Sequence, residues 1–345
     1  MSHLVETMAY TGQTPWHQLG NALPQKQSID VWAQAAGMQW QIQETPVRYL
    51  ACEPDLVANP ITISLATAGT LYGEAMEFPE QKVLYRSDTK AALSVVSQRY
   101  KVVQPRQVLE FYRDLTDVAG YELETAGVLK AGRRFWALAR TGKSLALKGD
   151  DLVNGYLLLA TSCDGSLATM AIPTTVRVVC NNTLAMALQG AVNAVRVPHS
   201  THFNSQQVKR QLGIAVGQWD SFMYQMRTLS ERKIKSHEAM NYFLKVLCEP
   251  TATANPNSTG AFSGKGGLTN ERALQKAQML YEGHGRGASK AAAQGTAWGL
   301  LCSITEYVDH EKRARSQDNR LDSAWFGQGA VIKQRALDQA LQLVS

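Results

Sequence analysis

The stretch from Tyr121 to Val179 constrains the fold more than any other part of the chain. Tyr121–Leu129 and Arg133–Arg140 read as strands joined by the turn Lys130-Ala131-Gly132, and Tyr156–Cys163 and Ser166–Val179 as two more joined by Asp164-Gly165. Asp-Gly between two apolar runs is a tight-hairpin signal, because glycine takes the positive φ such turns require. Asn181-Asn182 leads on into Thr183–Gln189, which reads as a helix lying across the sheet. Two hairpins followed by a helix define an α+β protein with a central antiparallel sheet packed by helices.

The flanking segments extend that frame. Ser28 is placed to cap a helix over Ile29–Ala36 that Gly37 ends, and Trp40–Glu44 alternates like a half-buried strand. Short strands are expected at Val83–Tyr85 and Tyr100–Val103. Pro105 opens a helix with Val108, Leu109, Tyr112, Leu115 and Val118 at helical spacing, which Gly120 stops. Beyond residue 204 strands vanish. One long helix is expected from Gln206 to Cys248, with Val208, Leu212, Trp219, Phe222 and Met226 on its apolar face. Residues 249–270 change to Pro, Thr, Asn, Ser and Gly and read as a mobile loop. Further helices are expected near 270–282, 296–310 and 330–343, separated by a glycine-rich loop and by the charged loop Lys312–Arg320. The organisation is therefore a mixed strand/helix head (1–120), a hairpin core with its helix (121–203) and a helical third (204–345).

With 345 residues, 45% hydrophobic and 19% charged, the chain is long enough for one large core or two and is too apolar to be disordered. No apolar run approaches the roughly 20 residues of a membrane helix. The opening Met1-Ser2-His3-Leu4-Val5-Glu6 has neither a basic nor an apolar signal region, so no secretory signal is expected. Five scattered cysteines (Cys52, Cys163, Cys180, Cys248, Cys302) argue against a disulfide framework or zinc ribbon and for a reducing, cytoplasmic setting.

Charge is unevenly distributed. Residues 1–125 hold 9 Lys/Arg against 14 Asp/Glu, whereas residues 126–345 hold 26 against 15. A basic body of this kind favours an anionic partner, with nucleic acid foremost. Alternation along Arg133–Arg140 puts Arg134, Trp136, Leu138 and Arg140 on one face and Arg133, Phe135, Ala137 and Ala139 on the other. Arginines hold phosphates bidentately, and an indole stacks a base for about 1–3 kcal/mol. The competing reading has Trp136 and Leu138 filling the core while the arginines reach its edge. Lys143, Lys148 and Arg177 add charge nearby. A second basic feature is His284-Gly-Arg286-Gly-Ala-Ser-Lys290, where glycines let backbone approach a phosphate. A third is Lys312-Arg313-Ala314-Arg315 with Arg320.

Other chemistry finds little footing. Gly260-Ala-Phe-Ser-Gly264-Lys265-Gly266 is one residue short of a phosphate-binding loop, lacks the following Ser/Thr, and does not follow a strand. His199/His202 and Glu306/His310 lack a third metal ligand at recognisable spacing. No nucleophile elbow or paired-carboxylate pattern stands out. No cofactor and no metal are expected.

Several passages together resemble one family. Thr14-Pro-Trp-His-Gln-Leu-Gly20, Arg99-Tyr-Lys-Val-Val-Gln104, Glu124-Thr-Ala-Gly127 and Arg133-Arg-Phe-Trp136 are similar to elements of the phage/plasmid-like proteins of domain-of-unknown-function family 932. So are Tyr156-Leu-Leu-Leu159, Asp164-Gly-Ser166, Val176-Arg-Val-Val-Cys-Asn-Asn-Thr-Leu184, Glu306-Tyr-Val-Asp-His310 and Ser323-Ala-Trp-Phe-Gly327. The resemblance implies a phage, plasmid or integrative-element setting and transfers no catalytic residues. A second likeness, of architecture alone, is to the single-strand annealing proteins of recombination, which oligomerise and hold single-stranded DNA in a basic groove.

These readings converge on a non-enzymatic, homo-oligomeric single-stranded DNA-binding protein that assists strand annealing, with no membrane role and with phage or host recombination proteins as further partners. Arg133, Arg134, Arg140 and Lys143 are expected to hold phosphates, Trp136 to stack a base, Arg177 to back them, and the loop of Arg286 and Lys290 to close over the strand. The alternatives are a metal-dependent nucleic-acid-processing enzyme using Glu306, Asp309 and His310, and a phage-borne adaptor that binds host proteins.

Overall fold

Side-chain alternation along four long antiparallel strands builds the centre of the molecule. The computed structural model describes residues 5–12, 20–51, 74–177, 182–185, 187–188, 191–192, 194–216, 219–248, 267–315 and 317–345. The chain begins with β1 (Val5–Thr11), β2 (Asn21–Leu23), α1 (Ile29–Ala35), β3 (Ile42–Ala51), β4 (Glu74–Arg86), β5 (Ala92–Ser97), α2 (Pro105–Glu110) and α3 (Arg113–Ala119). The long strands follow as β6 (Glu122–Leu129), β7 (Arg134–Leu147), β8 (Asp151–Ser162) and β9 (Thr169–Arg177). Four short strands come next: β10 (Asn182–Ala185), β11 (Ala187–Leu188), β12 (Ala191–Val192) and β13 (Val195–Val197). The helical part comprises α4 (Ser205–Val216), α5 (Trp219–Glu231), α6 (Ser236–Leu247), α7 (Gly267–Met279), α8 (Ala297–Glu306), α9 (Gln317–Phe326) and α10 (Gln328–Gln342). A π-helical turn follows α7 at Leu280–His284, and another follows α8 at Tyr307–Glu311.

The main sheet runs β10-β9-β8-β7-β6-β1-β2, with β13 also paired to β9, and only β1–β2 is parallel. The segment up to residue 120 thus contributes strands to the same sheet as the hairpins, while β3-β4-β5 form a smaller sheet. Both faces of the main sheet are covered. Phe135, Ala137, Ala139, Leu157 and Leu159 pack against Trp32 of α1, Val108 and Leu109 of α2, and Val208 and Leu212 of α4. On the opposite face Trp136, Leu138, Tyr156, Leu158 and Ile172 pack beneath Leu321, Trp325 and Phe326 of α9. A third core joins Leu147 and Val153, at one end of the sheet, to α5, α6, α8 and α10. Period-2 alternation therefore sorts two apolar sets rather than an apolar and a polar one.

Local signals explain several boundaries. Ser28 caps α1 by accepting from the Val31 amide at 3.4 Å, and Pro105 is the first residue of α2. Gly120 ends α3 at φ 69°, in the left-handed region that glycine enters without a Cβ penalty. At Gly155 a Cβ would stand 2.6 Å from the Trp219 ring, so the absence of a side chain lets α5 seat its indole against β8.

Other elements differ from expectation. The described residues of 183–189 are strands β10 and β11, not a helix: β10 pairs with β9 from Asn182↔Arg177 to Ala185↔Thr174, so the open edge of the sheet overrides local helix propensity. Tyr100–Val103 is irregular rather than a strand. There the Tyr100 hydroxyl donates to Ser162 O at 2.9 Å and the Lys101 amide to His199 O at 2.6 Å, so tertiary partners replace a ladder. The helix expected over 206–248 is broken within the described residues between α5 and α6. The break after α5 lets Lys233 bridge to Thr296 and the Ile234 amide reach Gly295 O. Residues 317–320, expected in a charged loop, open α9. Of the loop expected over 249–270, residues 249–266 lie outside the described residues together with the glycine–lysine run at 260–266, and 267–270 begin α7. The Thr14–Leu19 part of the opening motif, Cys52 and Cys180 also lie outside them; Cys163 and Cys248 are free thiols. Among the described residues, no helix is long and apolar enough to cross a membrane.

Burial of tyrosines sets an alkaline limit. Tyr112 donates to Ala137 O and Leu157 O at 2.9 and 2.8 Å, and Tyr242 donates to Ala336 O at 2.9 Å. Desolvation holds both phenols well above the ordinary value of 10.0 and lifts Tyr281 to about 12. In the unfolded chain these groups ionise near pH 10 while the fold keeps them protonated. Stability is therefore complete below pH 10 and falls above it, by about 1.4 kcal/mol per pH unit for each such tyrosine. Thermal melts from pH 9 to 12 should show a flat Tm giving way to a steep fall that coincides with tyrosinate absorbance; a constant Tm through pH 11.5 contradicts this.

Candidate nucleic-acid interface

Most of the basic residues named as site candidates gather toward one or the other end of β7, with Arg140 between them. Arg134 opens β7 and Leu147 closes it, a span of roughly 40 Å at about 3.3 Å per residue. At the Arg134 end, the turn 130–132 has positive φ at all three residues and leaves Arg133 exposed. The Arg133 carbonyl accepts from the Cys163 amide at 2.9 Å, tying the two hairpin turns together. Arg134 is 4% exposed; its Nη2 donates to Ser166 Oγ at 2.8 Å, and its guanidinium pairs with Asp322 of α9 and lies 5.4 Å from the Phe326 ring centre. Lys130 reaches the same carboxylate at 2.9 Å. Burial draws both cations below their ordinary pKa, and the neighbouring Arg134 charge draws Lys130 down further.

Trp136 is 2% exposed, and its ring meets Trp325 edge-on at 5.2 Å. The indole expected to stack a base is thus a core side chain in this conformation, because the sheet face that carries it lies under α9. Arg140, midway along β7, is half-buried beside Glu124, which accepts from the Tyr156 hydroxyl at 2.8 and 3.0 Å. Burial raises the Glu124 pKa, while Tyr156 and Arg140 oppose the shift.

The other end gathers residues from distant parts of the chain. Asp151, fully buried, accepts from Arg177 Nε at 2.7 Å, from Arg177 Nη2 at 2.7 Å and from Trp298 Nε1 at 3.0 Å. Arg177, 3% exposed, also donates to Gly287 O at 2.9 Å and to Arg286 O at 3.4 Å. Its fork is filled by a carboxylate and two loop carbonyls, so it tethers the glycine-rich loop to the sheet. Glu306 holds the same loop by accepting the Arg286 amide at 3.0 Å on each oxygen; burial raises the Glu306 pKa and this hydrogen bond opposes the rise. Gly285 packs where a Cβ would stand 2.5 Å from Leu280 O. The loop thereby presents an exposed Arg286 side chain, and Lys290 contacts Asp150 at 2.6 Å beside the exposed Lys148 in the β7–β8 turn. Lys143, half-buried, precedes them on β7.

Four of the eight expected residues, Lys143, Arg177, Arg286 and Lys290, therefore share one end of the sheet, although more than 100 positions separate Arg177 from the loop. Arg133, Arg134 and Trp136 occupy the other end, and Arg140 lies between. Lys148 is the exposed cation best placed to join the first group; its sequence signal was the Lys148-Gly149-Asp150 turn itself. Asp322 and Trp325 gave no local sign of their role.

The residues named for the metal-site alternative, Glu306, Asp309 and His310, stand at the end of α8 and in the π-helical turn that follows it. Glu306 faces the loop amide, whereas Asp309 pairs with Lys333 at 2.8 Å with both buried. Among the described residues no group of three His, Cys, Asp or Glu is placed to hold a metal ion. His199 is engaged with Lys101 O at 3.2 Å and Leu167 O at 2.9 Å and stacks on Tyr100.

Fold and site together define an α+β protein whose antiparallel sheet is tied at one end to a basic glycine-rich loop. Residues 92–325 match the family described as Domain of unknown function (DUF932), and the chain belongs to that family. The match runs from β5 to Trp325 in α9 and so includes both ends of β7. No curated protein matches the chain, and no solved structure does.

Proposed function

We propose that the chain is a non-enzymatic, cytoplasmic, single-stranded DNA-binding protein that promotes strand annealing in a mobile-element setting. The observation that carries this reading is the contact of the loop at 286–290 with the β7–β8 turn, made by Lys290 and Asp150 at 2.6 Å beside the exposed Lys148. Lys148 and Arg286 are exposed, and the Lys290–Asp150 pair lies at the surface, with side-chain exposures of 30% and 58%. Exposed pairs of this kind contribute about 0–1 kcal/mol, so a phosphate displaces the carboxylate at little cost. Lys143, Lys148, Arg286 and Lys290 then follow a phosphate backbone, while Arg177, Asp151 and Glu306 fix the loop that carries two of them. Neutralising the backbone lets two strands approach, and no bond is made or broken.

The reversal K148E/R286E tests this. By fluorescence anisotropy with a labelled oligothymidylate at low salt, the double variant is expected to bind on the order of tenfold more weakly than wild type or worse, with its melting curve unchanged. Equal affinity of the two proteins refutes the assignment.

A further inference from the structure

The opposite end of β7 poses a separate question: why a sheet face bearing Arg134 and Trp136, with Lys130 in the turn before it, is covered by a helix that packs so lightly. Every residue of α8 is buried, whereas among the described side chains of α9 only Ala324 is. What α9 places against the sheet is chemically specific. Asp322, Trp325 and Phe326 stand at i, i+3 and i+4 and so share one helix face. The Asp322 carboxylate sits between Lys130 and Arg134, Phe326 lies against the Arg134 guanidinium, and Trp325 meets the Trp136 ring. An anion held by two cations, with an aromatic ring set edge-on to the neighbouring indole, stands where a phosphate and an adjacent base could sit. The cover is also incomplete: Arg134 Nε and Trp136 Nε1 are buried donors with no partner. Native interiors rarely leave such groups unpaired, because each costs free energy that an acceptor restores.

We propose that the sheet face under α9 is a second site for single-stranded DNA, and that α9 is its internal occupant. Binding displaces the helix: a phosphate takes the place of the Asp322 carboxylate between Lys130 and Arg134, and a base takes the place of Trp325 against Trp136. The proposal rests on the DNA-binding reading above and extends it by naming what competes with the strand and where.

Hydrogen exchange on the wild-type protein tests it directly, and a conservative variant gives a second readout. Saturating oligothymidylate should speed amide exchange across 317–326, and D322N, which keeps the shape but not the charge, should bind the oligonucleotide on the order of tenfold more tightly. Exchange at 317–326 that is unchanged or slowed in the bound wild type, or D322N affinity no better than wild type, overturns this proposal while leaving DNA binding at the other end intact. No oligonucleotide binding by either protein at low salt overturns both.

Discussion

Asp151→Ala is expected to lower the free energy of unfolding by about 3–5 kcal/mol, because it takes the countercharge from a buried cation. Asp151 has no exposed surface, and Arg177, its partner at 2.7 Å, is 3% exposed. Removing the carboxylate takes away the acceptor that both Arg177 Nε and Nη2 share at 2.7 Å, and takes the acceptor from Trp298 Nε1. The pair itself is not a large net stabiliser, since its own desolvation offsets much of the attraction. The double replacement D151L/R177M should therefore recover most of the loss, and urea unfolding of the three proteins measures both effects. The loop responds too: without Arg177 held in place, residues 285–290 lose a sheet tether, and oligonucleotide affinity should fall in Asp151→Ala at temperatures where it remains folded.

Trp136→Ala is expected to cost about 3–5 kcal/mol as well, for a different reason. The ring is 2% exposed between Leu138, Tyr156 and Trp325, so its removal leaves a cavity that rigid strands cannot close. Trp136→Phe keeps most of the volume and removes an unpartnered indole N–H, so it should cost far less. An exposed stacking residue would lose almost no stability on truncation. A shift in the urea midpoint thus separates the packed position seen here from an open one, and an unchanged midpoint for Trp136→Ala contradicts the packing described.

The same residue shows what could be read from the chain. Alternation sorted Trp136 and Leu138 from Phe135 and Ala137, and the Asp164-Gly165 and 130–132 turns fixed the hairpins, because these signals are local. Which face meets solvent was not legible, since covering elements lie far along the sequence: α1 and α2 on one side, α9 on the other. Residues Gln317-Asp318-Asn319-Arg320 look like loop because they are polar, and only the contacts of Asp322 and Trp325 with β7 and its preceding turn reveal the helix. At the other end, the glycine loop and the sheet cations were each visible separately. Their union depends on Arg177 reaching Gly287 across 110 positions, which no periodicity encodes. Thr183–Ala185 failed for the converse reason, a helix-compatible run captured by the edge of β9.

The central claim is that a basic end assembled from the β7–β8 turn and the 286–290 loop holds a single-stranded phosphate backbone. Its most direct test is the slope of log K against log salt concentration for oligothymidylate binding. Four cations releasing about 0.7 counterion each give a wild-type slope of about −3, and losing two of them in K148E/R286E reduces it to about −1.5. Binding that is absent at low salt, or equally steep in both proteins, contradicts the account.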